Sequence, residues 1–434
     1  MSLLLLVFCL SYAARFDEID DAFIYARYIS NALAGFGLVF NPGEHVNALS
    51  SPLFTYLLLG LSWILKGQVL LATKVLSATA LYLACVLAEL RFQWAGFLVA
   101  STGYFYSLVG MESSLFLLLL LAVVLLFELE LFDYLPTALV LLLLTRFEGG
   151  ILAALVLLQM FRLRILPRRR SIAQALLIVL MYTALNLHWY GTALPTSAGA
   201  KFGQGKSGYW GHWPWGYFSG LYQLKHDFVP TLYIVPIVVL CAVIGFRRLR
   251  TSSFNLLAVP FCLLLLSFYV LFNIPGYRWY SAPFIFFAML YAASSFPASK
   301  KAAPWIAGLL LVMAATNASR FPRLASQPNY YERLGLWLKN NVPAKANIEA
   351  DETGTVAYFC QCHVIDILGL TTPKNAVHIA NRDPSSWLAE DRPDYIIVHD
   401  ADWPYEHVAK SSPDYERLPQ HFDVVYVLRR KTSH

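Results

Sequence analysis

Four acidic residues occur in an unexpected place in an otherwise apolar sequence. They follow a short hydrophobic segment at the N-terminus: Asp17, Glu18, Asp20 and Asp21. Ionisable groups beside a bilayer usually face a protein cavity and carry out chemistry or bind ions, because desolvating them beside hydrocarbon is costly. One carboxylate could take the proton of an attacking hydroxyl as general base, while its neighbour positions it. Asp20 and Asp21 are therefore candidate catalytic residues, and a divalent cation beside them is left open.

Two basic residues close to these acids are candidates for positioning a substrate. Arg27 follows the four acids in the same segment, and His45 comes directly after the glycine-rich segment 35–44. The structural alternative is an acidic loop that is neutralised by Arg15 and Arg27.

Three further charged residues interrupt apolar runs. Glu112 is a lone acid that could bind an acceptor or tune the first acids, and its alternative role is a helix N-terminal acid favoured by the helix dipole. Arg146 and Glu148 break a long apolar stretch. Buried opposite charges at membrane depth are normally paired, so we expect mainly a structural pair and keep both as candidates for substrate positioning.

Lys201, Tyr277 and Arg278 each lie just beyond an apolar run. A lipid phosphate needs fixed hydrogen-bond donors and cations, which these residues could supply. The alternative is that the cations snorkel to lipid headgroups. The aromatic residues of 208–222 are expected mainly to form an interfacial belt.

The composition is that of a membrane protein. Hydrophobic residues make up 58% and charged residues only 14% of the chain, which is far from the average of soluble domains. The net charge of +6 concentrates in short clusters between apolar runs, so a nucleic-acid partner is not expected. Cys360 and Cys362 are predicted to be core thiols, because their spacing is tight for a disulfide.

The apolar runs predict eleven membrane crossings, several of them shorter than the roughly 20 residues of a full span. The first, Ser2–Ala14, lacks a basic flank and is expected to be an uncleaved helix. The segment 51–66 is predicted to lie along the outer interface, with a buried hairpin as the alternative. The runs are 2–14, 69–90, 94–109, 115–132, 134–146, 149–161, 171–189, 229–246, 254–273, 281–296 and 303–318.

Basic clusters at alternate connections predict the orientation, since cytoplasmic loops carry an excess of Lys and Arg. The candidate site residues and the C-terminal region then share the outer face. We predict a membrane domain at 1–318, whose acidic first loop is 15–52, and a small periplasmic α/β domain at 319–434. The clusters are Arg162 to Arg170, Arg247 to Arg250, and Lys300 with Lys301.

The C-terminal region has its own pattern of elements. A helical stretch at Tyr330–Asn340 precedes short β-rich runs at Tyr395–Val398 and Val424–Leu428, with Pro, Gly and Asp turns between them.

Several motifs, in their order and spacing, resemble the GT-C membrane glycosyltransferases, most of all the cell-wall and type IV pilin arabinofuranosyltransferases. The resemblance covers about residues 1–320. Its motifs are Asp20-Asp21 to Tyr28, Gly35 to Glu44, Ser51-Pro52-Leu53, Gly110-Met111-Glu112, Arg146 to Gly149, and Tyr190-Gly191 to Lys201, with a loose match at Asp366 to Thr371.

The resemblance implies an inverting transfer of a sugar, D-arabinofuranose in the related enzymes, from a polyprenyl-phosphate donor. By motif position Asp20 would be the base, Asp21 its neighbour and Glu112 the second-loop acid. It also implies a multi-pass protein of the bacterial inner membrane with its site on the periplasmic side. The acceptor would be a pilin-like protein or a cell-envelope glycan. Two other functions compete with this one: a transporter or flippase for lipid-linked sugars, and a non-catalytic membrane scaffold.

Overall fold

The computed structural model describes residues 2–14, 17–221, 235–296, 303–318 and 329–431. Arg15, Lys300, Lys301 and part of the apolar run 229–246 lie outside these ranges. The regular elements described in the N-terminal part are helices, because its sequence is rich in Leu, Val, Ala and Phe with few helix-breaking residues inside each run. Its α-helices are α1 (Ser2–Ala13), α2 (Asp20–Leu33), α3 (Pro52–Ile64), α4 (Val69–Arg91), α5 (Ala95–Ala100), α6 (Ser113–Glu128), α7 (Leu135–Thr145), α8 (Gly149–Arg162), α9 (Arg169–Tyr190), α10 (Ser197–Ser207), α11 (Gly216–Gly220), α12 (Val235–Arg248), α13 (Ser253–Leu271), α14 (Ala282–Ser294) and α15 (Ala303–Ala318).

Three helices in the described ranges are long and apolar enough to cross a membrane: α4, α9 and α13. The prediction of eleven crossings is therefore not confirmed. The other apolar runs form shorter helices or combine a short helix with a 3₁₀ turn, as 94–109 does. A run of apolar residues indicates burial in lipid or protein, but it does not determine how long the helix is.

Most of the apolar helices pack around one core, and α2 and α3 belong to a second core that they share with the C-terminal part. Helix α4 packs against α1, α5 and α6, helix α7 against α6, α8 and α9, and helix α12 against α14. Helix α3 packs against α2, α4 and α7, and the turn 65–68 joins it to α4. The segment 51–66 is thus helical, with Trp63 largely exposed, and its interfacial location stays a prediction.

The C-terminal part forms a small α/β domain around a five-stranded mixed sheet. Strands β2, β1 and β3 are parallel, with Ile348 beside both Val364 and Tyr395. Strand β5 pairs antiparallel with β3 and with β4, giving the order β2-β1-β3-β5-β4. The elements are α16 (Tyr330–Asn341), β1 (Asn347–Ala350), α17 (Thr353–Cys360), β2 (His363–Asp366), α18 (Pro373–Asn381), α19 (Pro384–Asp391), β3 (Tyr395–His399), α20 (His407–Ser411), β4 (Tyr415–Phe422) and β5 (Val425–Arg430).

The sequence pattern of this domain is confirmed, whereas the prediction for its cysteines is wrong. The predicted helix and both β-rich runs correspond to α16, β3 and β5. Cys360 and Cys362 form a disulfide instead of two core thiols, with their Cα atoms 5.2 Å apart. Gln361 between them has a φ of 57°, a left-handed conformation that turns the chain back on itself and brings the two side chains together.

The C-terminal domain is docked on the acidic first loop through a shared apolar core. Phe23 of α2 contacts Tyr358 and Phe359 of α17, with ring centroids 5.5 Å apart in each pair. Asn41 closes the junction by donating to the carbonyl of Val364 at 2.9 Å. This interface brings β1 and the start of α17 next to Asp20 and Asp21.

Candidate active site

Asp20 and Asp21 are adjacent in sequence but make different contacts. Both oxygens of Asp20 accept hydrogen bonds from α17, at 3.1 Å from the Gly354 amide and 2.7 Å from the Thr355 amide. Asp21 lines two cavities, and no described residue donates a hydrogen bond to its carboxylate or forms an ion pair with it. Asp20 therefore joins the two parts of the molecule, while Asp21 faces open space.

The pKa of Asp20 and its geometry point to different roles. Burial raises the pKa of Asp20 to about 7, against the hydrogen bonds from Thr355 and Gly354 that favour the charged form. A pKa near 7 suits a general base, but a base must first reach the proton that it removes. Because both oxygens of Asp20 are already engaged, geometry favours Asp21.

The larger cavity, here called the outer cavity, lies between the first loop and the C-terminal domain. Its volume is about 760 Å³, within the usual range for ligand pockets. Carboxylates and aromatic rings dominate its wall, and Lys201 and Arg278 are its two cations. The acidic and aromatic lining residues are Glu18, Asp20, Asp21, Asp351, Glu352, Tyr209, Trp210, Tyr277, Trp279, Tyr331, Trp403 and Tyr405.

The smaller cavity, here called the inner cavity, has a volume of about 60 Å³ and borders the helical part. Asp21, Lys201, Trp279 and Leu370 line both cavities. These four residues therefore mark the junction between the two spaces.

A buried ionic network forms one side of the inner cavity. Arg146 donates to Glu112 at 3.0 Å and to Glu148 at 2.8 Å. Tyr25 donates to the other oxygen of Glu112 at 3.1 Å, and Tyr269 donates to Glu148 at 3.3 Å. The expected pairing of Arg146 with Glu148 is present, and Glu112 belongs to the same network. A network that is so fully hydrogen-bonded holds a rigid shape rather than exchanging protons.

Lys201 lies on an aromatic surface at the junction. Its Nζ is 4.2 Å from the centre of the Tyr277 ring, and this ring stacks on Trp279 with centroids 4.7 Å apart. Tyr277 donates to Gln204 at 3.2 Å. Burial lowers the pKa of Lys201, while Asp21, Asp366 and Glu352 oppose that shift. The amine is thus held in place without a direct carboxylate contact among the described residues.

The two candidate positioning residues of the first loop lie away from both cavities. Arg27 is buried and donates to the carbonyls of Phe40 at 3.1 Å and Cys362 at 3.2 Å. His45 is exposed on the surface. Arg27 therefore contributes to the docking of the C-terminal domain.

Trp210 and Tyr209 pack against the C-terminal domain instead of facing lipid. The Trp210 ring stacks on Tyr405 with centroids 6.0 Å apart, and both residues line the outer cavity. The predicted interfacial belt therefore does not include them.

One group of potential metal ligands occurs among the described residues, and all its members belong to the C-terminal domain. Asp351, His399 and Glu406 bring their donor atoms within 4.8 Å of one another. His399 Nδ1 is 2.7 Å from Glu406. Burial lowers the pKa of His399, but the hydrogen bond with Glu406 and the charge of Asp351 outweigh it and raise the pKa overall. The histidine and the two acids can therefore pair with one another without a metal.

Sequence reasoning missed the contribution of the C-terminal domain to the site. Asp351 and Glu352 follow β1 directly and line the outer cavity. Two adjacent acids before the turn-like Thr353-Gly354-Thr355 were the available signal. Nothing in the sequence shows that this turn meets Asp20, since the contact joins residues 334 positions apart.

The C-terminal domain matches a family model, while the whole chain is similar to solved structures only. Residues 322–433 match the model described as "Domain of unknown function (DUF8728)". No curated protein sequence matches this chain significantly.

Two solved structures share the fold of almost the whole chain. ArnT from Cupriavidus metallidurans, bound to undecaprenyl phosphate, has a TM-score of 0.58 and 12% identity over 98% of this chain and 96% of that chain. The oligosaccharyltransferase AglB from Archaeoglobus fulgidus, in complex with an inhibitory peptide and a dolichol-phosphate, has a TM-score of 0.58 and 12% identity over 92% of this chain and 69% of that chain.

At this identity the similarity establishes the fold, which is that of GT-C membrane glycosyltransferases. The arabinofuranosyltransferase AftD from Mycobacteria has a TM-score of 0.42 and 14% identity over 100% of this chain and 40% of that chain. ArnT and AglB therefore confirm the resemblance to GT-C membrane glycosyltransferases at the level of the fold, and the arabinofuranosyltransferase type is not confirmed.

Proposed function

We propose that this protein is an inverting glycosyltransferase that moves a sugar from a polyprenyl-phosphate donor to a hydroxyl group outside the cytoplasm. The observation that carries the proposal is the position of Asp21. Its carboxylate lies where the two cavities meet and has no hydrogen-bond or ion-pair partner among the described residues. Lys201 lines the same junction, so a base and a phosphate-binding cation border one space.

The proposed reaction is a single displacement at the anomeric carbon. Asp21 takes the proton of the acceptor hydroxyl while its oxygen attacks the anomeric carbon from one face. The bond between that carbon and the phosphate oxygen breaks, and the polyprenyl phosphate leaves with the bonding electrons. The configuration inverts because attack and departure occur on opposite faces.

Asp21 rather than Asp20 is proposed as the base, although motif position alone suggested Asp20. When Asp20 accepts a proton it loses its negative charge, and with it the charge-assisted strength of its two hydrogen bonds from α17. Charge-assisted bonds of this kind contribute roughly 1.5–3 kcal/mol each, so their loss would add to the barrier. Asp20 is instead proposed to anchor the C-terminal domain.

Lys201, Arg278 and Tyr277 are proposed to bind the donor phosphate. Lys201 lines both cavities, and Arg278 and Tyr277 line the outer cavity close to it. A fixed cation helps most where negative charge grows in the transition state, which here is the departing phosphate.

The Glu112–Arg146–Glu148 network is proposed to shape the pocket for the sugar. Tyr25 connects Glu112 to Ser50 through a contact of 2.8 Å between their hydroxyl oxygens. Because the network is buried and hydrogen-bonded, it can hold polar atoms in fixed positions against a bound ligand.

The finer identities of substrate and location follow from the sequence resemblance and are proposals as well. The donor sugar is D-arabinofuranose, and the acceptor is a serine or threonine of an exported, pilin-like protein. The reaction takes place on the periplasmic side of a bacterial inner membrane. The Cys360–Cys362 disulfide supports this side, since disulfides persist in oxidising compartments. Lipid phosphates bound to ArnT and AglB support the donor class.

Mass analysis of cells with and without this gene tests the proposal. Exported proteins and envelope glycans from both strains are compared for a pentose-sized mass increment that disappears on deletion and returns on complementation. An increment on a protein supports the proposed acceptor, and one on a glycan moves the acceptor to that class. Identical spectra from both strains, with the gene expressed, would contradict glycosyl transfer of a pentose.

A further inference from the structure

Helix α17 is capped by a residue from another part of the chain. An N-cap side chain normally accepts hydrogen bonds from the second and third backbone amides of its helix. Glu352 occupies the N-cap position of α17, but its side chain makes no capping bond. The amides that it would satisfy, Gly354 and Thr355, donate to Asp20 instead.

Because Asp20 caps α17 in place of Glu352, the Glu352 carboxylate is left in the outer cavity. Glu352 lines that cavity but not the inner one, and no described residue forms a hydrogen bond or ion pair with its side chain. Its amide donates to Asp351 at 2.9 Å, which fixes the backbone at the end of β1. The carboxylate is therefore held by a rigid main chain and faces the same space as Asp21.

Glu352 comes from a different part of the molecule than the proposed donor-binding residues. Asp21 and Lys201 line both cavities, whereas Glu352 shares only the outer cavity with them. Lys201, Tyr277 and Arg278 belong to the helical part, whereas Glu352 belongs to the C-terminal domain. The outer cavity also has room for a bulky group, with about 760 Å³ against about 60 Å³ in the inner cavity. A carboxyl oxygen can accept a hydrogen bond from a hydroxyl but not from a phosphate that carries no proton, so Glu352 suits the acceptor.

We propose that Glu352 is an acceptor-binding residue, which accepts a hydrogen bond from a hydroxyl or amide N–H beside the attacking hydroxyl. This inference rests on the proposed function. It makes the C-terminal domain part of the active site, because the domain supplies a side chain that contacts the substrate. A carboxyl oxygen held by the main chain in this cavity can accept such a hydrogen bond, so it orients the acceptor towards Asp21.

The test separates acceptor binding from donor chemistry. Full-length wild-type protein and the variants Glu352→Gln, Glu352→Asp and Glu332→Gln are purified in detergent. Each is given polyprenyl-phospho-D-arabinofuranose, first alone to measure hydrolysis by water, and then with exported proteins from the deletion strain to measure transfer. Glu332 is the matched control, since it is a partly buried acid of the same domain that lines neither cavity.

We expect Glu352→Gln to raise the acceptor KM by about ten- to a hundredfold, as a buried hydrogen-bonding group left without its partner does. Donor hydrolysis and the donor KM should stay within about twofold of wild type, because water needs no positioning by Glu352. Glu352→Asp should recover part of the acceptor affinity, and Glu332→Gln should behave as wild type.

Three results would overturn the inference while leaving glycosyl transfer intact. They are an unchanged acceptor KM in Glu352→Gln, an increase in the donor KM, which would make Glu352 a counter-ion of Lys201, and an equal loss of hydrolysis and transfer. If wild-type protein neither hydrolyses nor transfers the sugar, the proposed function itself fails.

Discussion

At the scale of single residues, the adjacent acids Asp20 and Asp21 differ in their contacts. Asp20 is occupied by two backbone amides, whereas Asp21 lines both cavities. The acidic loop and its catalytic potential could be predicted from the sequence, because charged residues in an apolar chain are costly and need a function. Which acid faces the cavities could not, since that depends on a helix more than 300 positions away.

Lys201 provides a direct test of phosphate binding. Loss of a charge-assisted contact worth roughly 1.5–3 kcal/mol should raise the donor KM of Lys201→Ala about ten- to a hundredfold. The kcat should fall too if the amine stabilises the departing phosphate. Lys206→Ala is the matched control, because Lys206 lies on the same helix with its Nζ 3.3 Å from Asn381 and outside both cavities.

Donor kinetics of folded, detergent-purified protein decide between the two roles of Lys201. Snorkelling to headgroups predicts wild-type values for Lys201→Ala and Lys201→Gln alike, and such a result would leave Arg278 as the cation that binds the phosphate.

Glu349 reduces the stability of the C-terminal domain. Both of its carboxylate oxygens are buried without a hydrogen-bond partner in the described structure. An unsatisfied buried group costs about 1–3 kcal/mol, so Glu349→Leu should raise the free energy of unfolding by a similar amount. Thermal unfolding of the full chain measures this, with the half-exposed Glu390 as the Glu390→Leu control.

The same residue predicts a pH dependence. Burial raises the pKa of Glu349 well above its usual value, so the folded state binds the proton more tightly than the unfolded state. The free-energy cost of burying Glu349 is therefore lowest below the unfolded pKa of about 4.3, where the side chain is protonated in both states. This cost grows as pH rises, and the stability of the folded state falls accordingly. Wild-type unfolding temperatures should decline more between pH 5 and pH 8 than those of Glu349→Leu. Parallel pH profiles would contradict this account.

At the scale of elements, the N-terminus of α17 is the joint between the two parts of the molecule. Helix α16 and the strands β3 and β5 were predictable, because their apolar patterns are local. The capping of α17 by Asp20 and the Cys360–Cys362 bond were not. The first is a long-range contact, and the second depends on the left-handed Gln361.

Gly354 is required for this joint because α2 approaches α17 closely. A Cβ atom at this position would lie 2.1 Å from the carbonyl oxygen of Asp20, so Gly354→Ala must displace α17. We expect transfer activity to fall by at least about tenfold, since small misplacements of catalytic groups cost that much or more. Hydrogen exchange should increase in α17 and at the start of α2. Gly60→Ala is the control, because nothing lies within 4 Å of a Cβ there.

An unchanged exchange pattern together with wild-type activity in Gly354→Ala would show that the docking of α17 on Asp20 is not needed for the reaction.

At the scale of the whole molecule, the fold combines a helical membrane part with a docked α/β domain. Composition predicted the membrane class, and the solved structures confirm the fold. The predicted number of crossings is not confirmed, because several hydrophobic runs in the described residues form helices too short for a full span. The outer location of the C-terminal domain stays a prediction from basic clusters, of which Lys300 and Lys301 lie outside the described residues.

Reporter fusions test this orientation. A reporter fused after Leu428 should be active only outside the cytoplasm, and one inserted near Pro167, in the basic connection between α8 and α9, only inside. Chemical trapping of free thiols in intact cells should also show that Cys360 and Cys362 are oxidised to the disulfide. A C-terminal reporter that is active only in the cytoplasm would place Asp21 and the C-terminal domain on the wrong side for the proposed reaction.

The central claim, that Asp21 is the base of a glycosyl transfer, is tested most directly by the turnover of Asp21→Asn. General-base catalysis contributes about 10²–10⁴-fold, so kcat for transfer from polyprenyl-phospho-D-arabinofuranose should fall by that factor with little change in unfolding temperature. Asp20→Asn, measured beside it, should retain more activity but loosen the C-terminal domain, since losing a cap costs about 0.5–2 kcal/mol. Near-normal turnover of Asp21→Asn, or complete inactivity of Asp20→Asn in a protein whose C-terminal domain stays docked, would contradict the account.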